Sequence, residues 1–574
     1  MKKLLVFLKN YKKESFLAPL FKMLEAAFEL IVPLVVAAII DDGILSGDMG
    51  FILSRCGILA LLAIVGMVAS ITAQYFAAKA ATGFGKELRH ALFDKIQSLS
   101  LSELDRIGAS SLITRVNTDT NQVQNGVNLV LRLFLRSPFI VFGAMIMAFT
   151  VDIKSALIFA GAIPLLSLVV FGIMAYTIPK YKKIQNNLDL ITLKTRENLS
   201  GARVIRAFTQ EENELEDFVE KNRFLSHLQK AVGRISALMN PVTYIIINVA
   251  VILLIHSGAL QVNSGNLTQG EVVALYNYMS QILIELIKLA NLIVTVTKAL
   301  ACASRIEGVL KLENTLEHNY DTEKKTDNAV DFRNVSLRYK GASENSLENI
   351  TFSAEKGSII GIIGGTGSGK TSLVSLIPHF YDATEGEVLV DGVDVKAYND
   401  NELRKKTGFA LQKAALFKGT VRDNLKWGDE KATDSEMLEA LKKAQILDTI
   451  IEKGGLDAEI EQNGSNLSGG QKQRLSVARA LVRRPEILVL DDSSSALDFA
   501  TEAAMRNEIM GLDYDPTIFI VSQRASSVMC ADKIVVLDDG LAVGIGTHKE
   551  LLESCEVYKE IYNSQFGEED ALDE

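Results

Sequence analysis

The sequence is poor in cysteine and carries no surplus of basic charge. Its 574 residues hold four cysteines, Cys56, Cys302, Cys530 and Cys555, scattered with no CxxC spacing. A disulfide framework or a zinc site built on them is not expected, and reduced thiols facing a cytosol fit better. The formal net charge is −10. That argues against nucleic acid as a partner, because binding a phosphate backbone needs a clustered basic surface. Residues 567–574 are rich in acid and read as a solvated tail.

What the chain has instead is long apolar runs. It is too long for one domain on the usual scale of roughly 100–200 residues. Its mean hydropathy is positive although 23% of residues are charged. An apolar first part and an ordinary charged second part reconcile the two. Six stretches approach the roughly 20 apolar residues that cross a bilayer: 16–40, 52–78, 130–150, 158–177, 241–260 and 272–296. The basic, apolar start (Lys2, Lys3, then residues 4–8) is too short for a signal peptide, and Lys9, Lys12 and Lys13 interrupt it. It reads as a short amphipathic helix at the membrane surface.

Lys and Arg set the orientation. The links at 41–50 and 261–270 have no Lys or Arg. The two long polar gaps have many, including Lys86, Arg89, Arg106 and Arg115 in one and Lys180, Lys182, Arg203 and Arg206 in the other. Both termini and both gaps are therefore predicted on the cytosolic side of a cell membrane.

Charges inside spans are costly unless they face water or a partner. Glu25 and Glu29 share a helix face, with Lys22 three residues before Glu25, and Glu285 lies three residues before Lys288. Two readings stay open for Glu25, Glu29 and Glu285: they line a polar cavity, or they form ion pairs between helices. Arg132 and Arg136 read as residues that snorkel to the interface.

A polar linker at 313–328 follows the last span. Beyond it, short β-rich runs at 330–332, 358–363, 387–390, 487–490, 517–521 and 533–537 alternate with helical segments, which predicts an α/β domain over 329–566. Within it, Gly364-Gly365-Thr366-Gly367-Ser368-Gly369-Lys370-Thr371 is a full G-x-x-x-x-G-K-[ST] match between a strand and the helix opening at Ser372. Its glycines let backbone N–H groups curl around phosphate oxygens. Lys370 is expected at the β- and γ-phosphates of ATP, and Thr371 on Mg²⁺. Downstream, the apolar strand ending in Asp491 supplies a carboxylate for the metal.

Between these lies Leu467-Ser468-Gly469-Gly470-Gln471-Lys472-Gln473-Arg474. This run resembles the signature of ABC ATPases, and the resemblance extends over nearly the whole chain. Tyr339 matches the aromatic that stacks on adenine. Gln412 matches the glutamine that senses Mg²⁺ and the transmembrane domain. Ser495-Ala496-Leu497-Asp498 matches the loop that crosses the dimer interface. In the membrane half, 105–119 and 201–208 are similar to the two cytosolic coupling helices of ABC exporters. The fold implied is an all-α six-helix transmembrane domain (1–312) fused to an α/β P-loop ATPase domain. The mechanism implied is head-to-tail pairing of two ATPase domains. Leu467, Ser468, Gly469, Gly470 and Gln471 would then contact ATP held by the partner's P-loop.

Two positions depart from the family. After Asp491 active members usually have Glu, where this chain has Asp492. It also has Gln523 where His usually contacts the γ-phosphate, and none of the six histidines replaces it. A carboxylate short by roughly 1 Å can cost about a hundredfold in rate. Glutamine can donate a hydrogen bond but cannot carry imidazolium charge. Gln462 likewise stands where many exporters have Glu. The pattern resembles the degenerate subunit of heterodimeric bacterial multidrug exporters. It implies a second half-transporter with an intact Glu and His, a hydrophobic or amphipathic small-molecule substrate, and lipid as the surrounding partner. The alternatives are a homodimer with low ATPase activity, a peptide exporter, an importer with an exporter-like fold, and an ATP-gated channel. The absence of a protease domain before the first span argues against one peptide-exporting branch.

Overall fold

In the computed structural model, residues 4–314, 316–318 and 323–566 are described. The acidic tail, and part of the linker, fall outside them. The chain forms two compact units. One comprises Met1–Gln97 and Ser110–Leu312, the other Ser98–Ala109 and Glu313–Glu574.

The first unit holds six helical spans: Leu4–Ile44, Met49–Gln97, Ala109–Val151, Ile153–Ser200, Glu211–Asn263 and Gln269–Leu310. A bilayer core of about 30 Å takes about 20 helical residues. A helix of 49 residues, at a rise of about 1.5 Å each, runs for more than twice that thickness. The two polar gaps are thus largely continuations of the spanning helices. The amphipathic start also runs straight on, through the 3₁₀ turn Leu4–Tyr11, into the first long helix. Leu53, Leu61, Ile64, Met67 and Ile71 of the second helix are exposed, which suits a lipid environment.

At one end, the first and sixth helices are clasped by a carboxylate. Asp41 Oδ1 accepts the Gly270 backbone N–H at 2.8 Å, and Asp41 Oδ2 accepts the Thr268 hydroxyl at 2.5 Å. Gly270 permits this approach, since a Cβ there would sit 2.3 Å from the Ala37 carbonyl oxygen.

The charged residues of the spans meet one another. Arg136, 6% exposed, does not snorkel. One of its terminal nitrogens donates to Glu285 Oε1 and the other to Glu29 Oε2, each at 2.6 Å, and Glu25 lies 4.0 Å away. Ser137 and Lys288 complete the shell of Glu285, and Lys22 holds Glu25 at 2.5 Å. Glu285 is 2% exposed. Its environment is that of the ion-pair alternative, whereas the Glu29 side chain keeps 41% exposure. Three helices, the first, third and sixth, are stitched by one guanidinium, whose planar fork suits two carboxylates at once.

The short connectors differ from expectation in one place. The segment 201–208 contains the helix Ala202–Ala207 between two long helices. The other connector helix is Leu101–Ile107, earlier than the expected 105–119, and Gly108 at φ +79° ends it. The stretch from Ala109 onward belongs to the third span.

In the second unit a six-stranded sheet runs in the order Leu541–Gly546, Lys533–Asp538, Ile359–Gly364, Thr517–Ser522, Ile487–Asp491, Thr407–Ala410. All pairs but the first are parallel. A four-stranded antiparallel sheet, built on Val330–Leu337, packs into the same core as one face of the large sheet, with Phe332, Ile350, Ile360 and Val489 among its buried side chains. Strands Leu347–Ala354, Thr407–Ala410 and Leu541–Gly546 lie beyond the runs expected from the sequence: the second is only four residues long, and the third is interrupted by glycine.

Removing one partner of a buried ion pair costs about 3–5 kcal/mol, because the other charge stays buried. Arg136→Met is expected to lower the thermal unfolding midpoint of the nanodisc-embedded protein strongly, and Arg136→Lys to do so less. An unchanged midpoint in Arg136→Met would show that the network contributes nothing net.

Candidate nucleotide site

Parallel strands end together, so the large sheet delivers its chemistry along one edge. Ile363 pairs with Ser522, and Val521 pairs with Asp491. The loop after the central strand turns through Gly367 and Gly369 at φ +86° and +95°, a region costly for side chains with a Cβ. Helix Lys370–Val374 begins directly behind it.

Lys370 folds over this loop. Its ammonium donates to the Gly364 and Gly365 carbonyls at 2.8 and 2.5 Å, with Ser368 Oγ at 3.3 Å. Burial holds its pKa below the ordinary lysine value. The Thr371 hydroxyl donates to Asp491 Oδ1 at 3.0 Å. Burial pushes the Asp491 carboxyl up to about 6. A hydroxyl and a carboxylate converging in this way form a hard-oxygen donor pair of the kind Mg²⁺ takes.

Asp492 follows at φ +46°, in the left-handed region. Its N–H donates to the Val521 carbonyl at 3.0 Å, and its carbonyl accepts the Ser495 hydroxyl at 3.0 Å. Gln412 reaches its carboxylate, with Nε2 3.3 Å from Oδ2. Burial raises its pKa as well, and the Gln412 hydrogen bond opposes this. Gln523 is exposed at the end of the neighbouring strand, its Oε1 3.5 Å from the Thr366 hydroxyl. Lys370, Thr371, Asp491, Asp492, Gln412, Thr366 and Gln523 are therefore gathered at one edge. Tyr339 stands beside the P-loop helix, its hydroxyl 2.9 Å from Ser372 Oγ.

The run 467–471 opens a separate helix, Gly469–Val482. Ser468 caps it: its hydroxyl accepts the Gln471 N–H at 3.3 Å, and Gln471 Oε1 accepts the Ser468 N–H at 3.0 Å. Ser468 and Gly469 are exposed, while Leu467 is buried. A Cβ on Gly470 would lie 2.9 Å from the Ala496 carbonyl oxygen, so the run backs closely onto the 495–498 loop. Asp498 caps the next helix by accepting the Thr501 N–H.

Two supporting residues were not singled out by the sequence. Gln473 is 7% exposed. Its Nε2 donates to Ser495 Oγ at 2.9 Å and lies 3.4 Å from the Asp492 carbonyl, while its Oε1 accepts the Ala496 N–H at 3.0 Å. Glu502, 4% exposed, accepts from Arg524 at 2.8 Å, from Ser494 at 3.1 Å and from Ser527. The serine run 493–495 and Arg524 were the available signals. The connector Leu101–Ile107 also belongs to this unit: Lys340 pairs with Glu103 at 2.9 Å, and the Tyr381 hydroxyl donates to Asp105 at 2.7 Å. Tyr381 in turn meets Tyr339 edge-on.

Comparison with known proteins identifies this arrangement. Residues 15–286 match the ABC transporter transmembrane region, and 347–495 match the ABC transporter family. The chain is 36% identical, over 99% of both chains, to the uncharacterized ABC transporter ATP-binding protein YfiB of Bacillus subtilis. It is 31% identical to the putative multidrug export ATP-binding/permease protein YgaD of the same organism, over 98% of this chain and 99% of that one. A solved bacterial Atm1-family ABC exporter with ATP bound shares the fold with a TM-score of 0.81, at 22% identity, over 97% of this chain and 99% of that one.

Gln473→Ala removes three hydrogen bonds around the 492–498 loop. At about 1 kcal/mol net for each typical bond, its amides are expected to exchange with deuterium at least tenfold faster. Unchanged protection would show that the loop is held by other contacts.

With six spanning helices ahead of an ABC ATPase domain, the chain belongs to the ABC transporter family: it is a multi-pass membrane protein with the ABC exporter fold and a cytoplasmic ATPase domain.

Proposed function

We propose that this chain is the degenerate-site subunit of a heterodimeric ATP-driven exporter of hydrophobic or amphipathic compounds. The observation that carries the proposal is the pair Asp492 and Gln523 beside an otherwise complete set of ATP-holding residues. Gly364, Gly365, Thr366, Gly367, Ser368, Gly369, Lys370, Thr371, Ser372 and Gln412 would hold nucleotide, and Tyr339 would stack on adenine. Thr371, Gln412 and Asp491 would hold Mg²⁺, which when bound neutralises phosphate charge.

The backbone supports the degenerate reading. Asp492 is tied through its N–H to Val521 and through its carbonyl to Ser495. The main chain has little room to advance, so the missing methylene is not recovered by a shift. The carboxylate falls short of where a glutamate would position the attacking water. Gln523 leaves the γ-phosphate without an imidazole. Ser468 and Gly469 stand exposed at a helix N-terminus, with Gly470 half-buried behind them, an arrangement suited to phosphate oxygens of the partner's nucleotide. Hydrolysis would then run mainly at the site made by the partner's P-loop and this chain's signature. The multidrug type draws on the 31%-identical relative, a putative multidrug export ATP-binding/permease protein.

A second reading is a homodimer with slow turnover. Here the Asp492 carboxylate, within reach of Gln412 at 3.3 Å, would still serve as the base.

The two readings separate on one experiment. Asp492→Glu with Gln523→His is introduced into the chain co-expressed with its partner half-transporter, and ATPase is measured with the partner's catalytic carboxylate neutralised. The double reversion is expected to raise turnover about a hundredfold over the unreverted chain in that background. Full exporter-level turnover by this chain alone would overturn the heterodimer proposal.

A further inference from the structure

Outside the nucleotide site, three side chains that could ligate a metal converge on the ATPase unit. His318 follows the sixth span, in the linker. His379 lies just past the P-loop helix. Asp400 opens the helix Asp400–Lys406. One ligand atom from each lies within 4.8 Å of the other two. These residues come from three separate segments, so their meeting is a product of the fold.

His379 is fully buried. Its Nε2 lies 2.8 Å from Asp382 Oδ1, and Asp382 is itself fixed by the Glu317 N–H at 3.0 Å on its other oxygen. That leaves Nδ1, which is buried with no hydrogen-bond partner. It faces Asp400 Oδ1 at 3.8 Å, an oxygen that is also buried and also without a partner. The other Asp400 oxygen accepts from Arg404 at 3.0 Å. The ring of His318 meets that of His379 edge-on, with centroids 5.6 Å apart. His379 is held at φ +54°, an uncommon conformation for a histidine.

Buried polar atoms are nearly always satisfied, because leaving one unpaired costs its full desolvation. Here two face each other, with the exposed His318 imidazole edge-on to the His379 ring. One water or one proton can join two atoms. A cation can serve all three side chains. The ligand chemistry is two imidazoles and a carboxylate, a set that suits Zn²⁺. At bond lengths of about 2.0–2.1 Å, tetrahedral donors stand roughly 3.3 Å apart, close to the observed 3.8 Å. The bond from Asp382 to Nε2 fixes the His379 ring and directs Nδ1 at the site, as carboxylates behind metal-binding histidines do.

We propose that His318, His379 and Asp400 form a Zn²⁺ site that pins the linker to the ATPase unit beside the P-loop helix. The bound ion would fix His318 of the linker to the turn that follows the helix carrying Lys370 and Thr371. Lys396 and Glu317, paired at 2.7 Å, fasten the same stretch of linker from the side.

The test uses the tag-free, full-length protein in nanodiscs, stripped of metal with a chelator and titrated with Zn²⁺ alone. One Zn²⁺ per chain is expected. His318→Ala, at an exposed position that leaves the core intact, and Asp400→Asn are each expected to weaken binding at least tenfold. His227→Ala, an exposed histidine on another helix, is expected to leave affinity unchanged. Co²⁺ in place of Zn²⁺ is expected to give visible absorption bands that His318→Ala removes. Absence of stoichiometric Zn²⁺, or wild-type affinity in either ligand variant, overturns the proposal.

Discussion

The parallel register of three strands governs the ATPase unit. Ile359–Gly364, Thr517–Ser522 and Ile487–Asp491 run side by side and end at one edge. The P-loop, Gln523 and the pair Asp491–Asp492 are the continuations of those strands. No loop has to travel to assemble the site. The apolar core beneath, with Ile362, Val489, Phe519 and Val521 fully or almost fully buried, fixes the register. A one-residue slip would turn these side chains to the other face. The chemistry at the edge therefore inherits its geometry from packing, which is why Asp492 cannot easily slide forward to replace a glutamate.

The membrane unit rests on a different kind of constraint. In a bilayer the backbone satisfies itself within helices, and specificity falls to the few polar side chains. Arg136 joins Glu29 to Glu285, while Asp41 joins two helices through Thr268 and Gly270. The exposed apolar side chains of the second helix face outward and leave pairing to these polar contacts and to small residues.

Much of this was legible in the sequence, for identifiable reasons. Spans declare themselves by length and apolarity, and the P-loop by glycines at fixed spacing between a strand and a helix. The run 358–363 reads as a strand, and the strand Ile359–Gly364 forms there. The strand Thr407–Ala410 is not legible because four residues give too little period to detect. The polar gaps are legible as cytosolic but not as continuations of the spans, since charge marks where a helix leaves lipid and not where it ends. Arg136 misled because a lone arginine near a span end can snorkel or pair, and only its neighbours in space decide. The His318–His379–Asp400 cluster was invisible for the same reason: its members lie 61 and 21 residues apart along the chain.

The central claim is asymmetry: nucleotide held at this chain's P-loop, with hydrolysis at the site its signature completes. Vanadate trapping of the assembled pair during turnover, followed by counting ADP and ATP bound to each chain, tests it most directly. The account predicts one trapped ADP per pair, on the partner's P-loop, with ATP retained on Lys370 and Thr371. Two trapped ADP per pair, or trapping on this chain alone, would contradict it.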